Sequence, residues 1–124
     1  MESPQKLNRR QHVDPDMTVK KCDSEMKRKK IYCPDNSCKE TNTFILASPN
    51  KVKSICQGQG NFDKNSQLTS SKEKFKIVVC KLKKSARKPK CQYKGSLLKN
   101  KVVVVRCDKR LPVHYDHHSQ IASV

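Results

Sequence analysis

At 124 residues the chain has room for one domain and not for two ordinary ones, and 34% hydrophobic residues, 5% aromatics and no tryptophan allow only a small core. Twenty-eight Lys and Arg against 11 Asp and Glu give a formal net charge of +17, which points to a polyanionic partner such as nucleic acid, a heparan-type glycan or an anionic membrane surface. No apolar run is long enough to cross a bilayer, and the apolar start of a leader peptide is missing, so a leader is expected to have been removed.

In chain order, residues 5–14 suit a short helix with Pro4 in its first turn. Residues 19–30 suit a second, because Val19, Cys22 and Met26 recur three and four apart. Pro34, Asp35 and Asn36 mark a loop over 32–37. Residues 43–46 read as a strand. Ser48 then reads as an N-cap with Pro49 at the first position of a third helix, on which Val52 and Cys56 share a face. A turn is expected over 58–61, strands over 75–82, 92–97, 102–107 and 111–115, a basic turn over 85–89 and a polar tail after Asp116. Helices early and strands late predict an α+β fold: three short helices on a strongly bent antiparallel sheet, in a single domain over 1–124.

Seven cysteines are scattered along the chain without a CxxC pair, which argues for disulfides in an oxidising compartment and against a zinc site. Small domains of this size usually need such staples. Spacing alone leaves the pairing open, and an odd count leaves one cysteine over.

Three of the segments carry chemistry. Gln11-His12-Val13-Asp14 ends the first helix, Cys38-Lys39-Glu40-Thr41-Asn42-Thr43-Phe44 leads into the first strand, and Pro112-Val113-His114-Tyr115-Asp116 lies in the last. The middle segment resembles the Cys-Lys-x-x-Asn-Thr-Phe signature of the pancreatic ribonuclease superfamily. The flanking segments match the same family in the same order, and the likeness covers residues 5–118. The chain is similar to the angiogenin-like branch, which has three core disulfides.

The resemblance implies the pairs Cys22–Cys80, Cys38–Cys91 and Cys56–Cys107, with Cys33 as the unpaired thiol. It also implies a secreted, pyrimidine-preferring RNA endonuclease that uses the ribose 2′-OH as nucleophile and leaves a 2′,3′-cyclic phosphate, with the low activity of angiogenin. No cofactor is called for. His12 would be the general base and His114 the general acid, since imidazoles titrate near neutrality. Lys39 would stabilise the charge on phosphorus. Gln11 would bind a phosphate oxygen, Thr43 would read the pyrimidine edge with Phe44 and Tyr115 beside it, and Asp116 would orient His114 by a hydrogen bond.

The pattern departs from the family in two places. Asn8 stands where a Phe usually docks the first helix, so that helix is expected to be loosely held, which would lower activity by misplacing His12. His117 stands where angiogenin has the residue that blocks the pyrimidine pocket. The basic run Lys27-Arg28-Lys29-Lys30 aligns with an angiogenin segment tied to nuclear and nucleolar uptake, and it reads equally as a glycan-binding patch or a solvated helix face. The competing functional reading is a cationic host-defence, antimicrobial or angiogenic signalling protein that acts mainly through its basic surface. Ribonuclease inhibitor is a further implied partner. A monomer is expected, with a Cys33-linked dimer as the alternative.

Overall fold

The computed structural model describes residues 11–83 and 90–119. Gln11 and His12 are helical, so the end of the first predicted helix is seen. The rest of that helix, with Asn8, and the basic turn over 85–89 lie outside the described residues.

A single 3-10 turn, Val19–Lys21, leads into helix α1, Cys22–Arg28. This helix is shorter than the segment 19–30 predicted from periodicity. Lys30 ends it by adopting a left-handed backbone, φ 54°. Lys30 N–H donates to the Lys27 carbonyl at 3.1 Å and Ile31 N–H to the Met26 carbonyl at 2.9 Å. These two hydrogen bonds form a Schellman cap, in which N–H groups at and after a left-handed residue satisfy orphan carbonyls of the last turn. Ile31 and Met26 are both buried, which supplies the apolar contact the cap uses.

Helix α2, Pro49–Lys53, begins as expected. The Ser48 side chain accepts from Lys51 N–H at 3.2 Å and Pro49 opens the helix. The chain then tightens into a 3-10 turn, Ser54–Cys56. Among the described residues there are thus two complete α-helices, besides the helical end at Gln11 and His12.

The sheet is antiparallel. Its strands are β1 (Thr41–Ile45), β2 (Gly60–Asp63), β3 (Leu68–Leu82), β4 (Tyr93–Asp108) and β5 (Leu111–Ser119), in the order β1-β3-β4-β5. Strand β2 pairs with the first part of β3 and β1 with the last part. Register shifts between Ser70/Lys74 and Phe75/Ile77 interrupt the β3–β4 ladder. Extra residues at such bulges bend a strand and increase its twist. Strand β2 occupies part of the expected turn 58–61, and the segments 92–97 and 102–107 are one strand. Asn100 spans the gap between them with a left-handed φ of 57°, a conformation Asn tolerates well.

Alternation along the sheet divides the buried side chains into two clusters. Ile77 and Val79 join Val13, Ile45, Val52, Ile55, Val103, Val105 and Tyr115. Val78 and Cys80 join Met17, Cys22, Met26, Ile31, Phe44 and Tyr93. Disulfides Cys22–Cys80, Cys38–Cys91 and Cys56–Cys107 cross-link the elements, and Cys33 is a free thiol. Gly95 is required where β4 passes the first 3-10 turn, because a Cβ there would meet the Val19 carbonyl oxygen at 2.5 Å.

Candidate active site

His12 sits where the first helical segment meets the edge of the sheet. Val13 bridges Ile45 of β1, and Asp14 N–H donates to the Ile45 carbonyl at 3.0 Å. The neighbouring Val13 side chain is in the core. This docking leaves the His12 ring 9% exposed.

One contact fixes the chemistry of that ring. His12 Nδ1 lies 2.8 Å from the Thr43 carbonyl oxygen. A carbonyl can only accept, so Nδ1 carries the proton and the Nε2 lone pair is free. Burial pushes the imidazole down to about 4, the bond to Thr43 opposes that shift, and the charges of Lys39 and His114 push it further down. At neutral pH the ring is therefore an unprotonated base of defined tautomer. The Tyr115 ring stacks on it with centroids 5.0 Å apart and planes at 26°. Burial raises the Tyr115 phenol to about 12.

Lys39 is placed by a buried amide. Its Nζ donates to Asn42 Oδ1 at 2.9 Å, and Asn42 Nδ2 donates to the Gln11 carbonyl at 2.8 Å. The Tyr93 hydroxyl donates to the Lys39 carbonyl at 2.8 Å. Asn42, at 1% exposure, thus links Lys39 to the segment bearing His12. Burial lowers the Lys39 pKa, and the nearby Cys33 raises it. Nothing in the sequence around Asn42 marks it for this role.

Strand β5 supplies the second imidazole. His114 lies opposite Arg106 of β4 and its side chain is 60% exposed. Asp116 was expected to hydrogen-bond it. Its Oδ2 is instead 3.9 Å from His114 Nε2, beyond hydrogen-bond range, while Oδ1 is 2.6 Å from His117 Nδ1. A register shift between Val104 and Val105 leaves Asp116 without a register partner: Tyr115 pairs with Val105, and His117 and His118 pair with Val104 and Val103. His118 Nδ1 lies 3.4 Å from the Tyr115 hydroxyl. His117 lines a shallow cavity of about 300 Å³ with Asp63, Ser66 and Ser119. The polar tail expected after Asp116 is therefore strand as far as Ser119.

Phe44, expected beside the base, is 0% exposed and packs with Val78 in the core. The basic run is not a uniform face. Arg28 forms a two-pronged pair with Glu25 at 2.7 and 2.8 Å. Lys29 is turned inward, 3.5 Å from Asp14 and 5.2 Å from the Phe44 ring centroid.

The fold and this site define a class: a disulfide-stapled α+β protein in which a buried imidazole feels the charges of a lysine and a second imidazole. The pancreatic ribonuclease family model matches residues 3–116. Ribonuclease-like 3 of Danio rerio is 37% identical over 109 residues, covering 86% of this chain and 72% of that protein. Angiogenin-1 of Bos taurus is 37% identical over 95 residues, covering 77% of this chain and 62% of that protein. The X-ray structure of zebrafish RNase5 superposes with a TM-score of 0.85 at 43% identity, covering 91% of this chain and 92% of that one. The chain belongs to the pancreatic ribonuclease family.

Proposed function

We propose that this chain is an RNA endonuclease that cleaves after pyrimidines by transphosphorylation. His12 Nε2 takes the proton of the ribose 2′-OH. The O2′–P bond forms as the P–O5′ bond breaks, and His114 protonates the departing O5′. The product is a 2′,3′-cyclic phosphate. Lys39 stabilises the added charge on phosphorus, Gln11 binds a phosphate oxygen, and the Thr43 hydroxyl reads the base edge.

The observation that carries this reading is the 2.8 Å contact between His12 Nδ1 and the Thr43 carbonyl. It leaves a neutral, oriented base beside a lysine and a second imidazole. RNA is the polyanion that answers the net charge of +17, and heparan-type glycans and anionic membranes offer similar chemistry to the exposed lysines. The three disulfides support a reading in which the protein acts outside the cell, where such bonds persist.

The test uses the dinucleotides UpA, CpA and ApA with the wild-type chain and its His114→Ala variant. Cleavage of UpA and CpA but not ApA, lost in the variant, is the expected result. Equal cleavage by the variant would remove His114 from the mechanism. Failure of both proteins to cleave would leave the cationic surface as the source of function.

A further inference from the structure

Asp116 stands between two imidazoles. It meets His117 Nδ1 at 2.6 Å through Oδ1 and stays 3.9 Å from His114 Nε2 through Oδ2. We propose that His117 is a positioning residue that competes with His114 for Asp116 and so holds the proton-donating imidazole loose. This inference rests on the assignment of His114 as general acid.

The physical case begins with the acceptor. A carboxylate accepts and cannot donate, so His117 Nδ1 must carry the proton in this contact. An N–H to carboxylate bond of that length is a charge-assisted one, stronger than a neutral bond. His114 has only the longer approach, and its side chain is 60% exposed. A ring without a firm partner samples orientations in which it cannot deliver its proton, and loss of orientation is costly in rate. When His117 is protonated its charge also opposes a proton on His114.

Other charged groups surround the pair. Asp63 lines the cavity on the His117 side. His118 feels the charges of Lys101 and His117. Arg106 is the cross-strand partner of His114, and His12 feels the His114 charge. Among these, only Asp116 meets both His114 and His117 as an ion pair in the described residues.

The experiment compares the wild-type chain with His117→Ala and His117→Gln. It follows the imidazole resonance of His114, assigned with His114→Ala, through a pH titration by NMR, beside the pH profile of kcat/KM on CpA. In His117→Ala the His114 midpoint and the alkaline limb should both rise by a few tenths of a pH unit, with kcat/KM up by about two- to fivefold, the range an exposed ion pair supports. His117→Gln keeps a neutral donor for Asp116 and should fall between the two. An unchanged His114 titration in His117→Ala overturns the proposal. So does a shift of the same size in an Asp116→Asn background, because His117 would then act by charge alone. If no variant cleaves CpA, the catalytic reading fails, while the titration still decides the competition for Asp116.

Discussion

His12 combines a functional and a stability consequence in one side chain. In the folded protein its imidazole is lowered from the ordinary 6.5 to about 4, mainly by burial. In the unfolded chain it takes a proton near 6.5. Between those values the unfolded state binds more protons, so stability is full above about pH 6.5 and is lost as pH falls toward 4. A shift of that size corresponds to stability on the order of 3 kcal/mol. Thermal unfolding of the wild type should therefore lose more Tm between pH 7 and pH 4 than His12→Gln loses. Parallel curves would show that the ring is not held neutral by burial. His12 was legible in the sequence because its motif has fixed neighbours. The partner that selects its tautomer, the Thr43 carbonyl, was not, since a main-chain oxygen leaves no mark in composition. Asn42 was hidden for a related reason: its amide satisfies two groups, Lys39 and the Gln11 carbonyl, that come together only when β1 docks.

At the scale of elements, local punctuation was legible and tertiary override was not. Ser48 and Pro49 marked the start of α2 because capping is local chemistry. The end of α1 was misplaced because Lys30 adopts a left-handed backbone that sequence assigns to Gly or Asn. Strand β4 was split in two because Lys99, Asn100 and Lys101 interrupt its apolar pattern, whereas pairing with β3 and β5 carries it through. The β4–β5 hairpin shows the same tension. Asp108 faces Leu111 across a two-residue turn in which Lys109 and Arg110 have φ of 51° and 66°. Positive φ at both central positions is the geometry that Asn-Gly fits. Lysine and arginine there cost on the order of 1 kcal/mol each. The double variant Lys109→Asn, Arg110→Gly should raise Tm by several degrees without altering the sheet. A lower Tm would mean that the two long side chains stabilise the turn in ways their backbone angles do not show.

The whole molecule is held by covalent links as much as by its core. Each disulfide joins residues more than 50 apart, with sequence separations of 58, 53 and 51. Loops of that length correspond to about 4 kcal/mol of chain entropy per bond in the simplest model. Such support offsets the self-repulsion expected from a net charge of +17. Every bond also has one cysteine at or before Cys56 and the other at or after Cys80. The exposed Asp63–Gln67 turn lies between those limits. A protease that cuts after Lys64 would open the chain and release nothing. Trypsin-nicked protein should migrate as one species without reductant and as two fragments with it, and separation without reductant would show that the three links do not span the cut. The six cysteines thus make the two halves of this chain a pair of covalently laced peptides, for which an intact backbone across the middle turn is dispensable to cohesion.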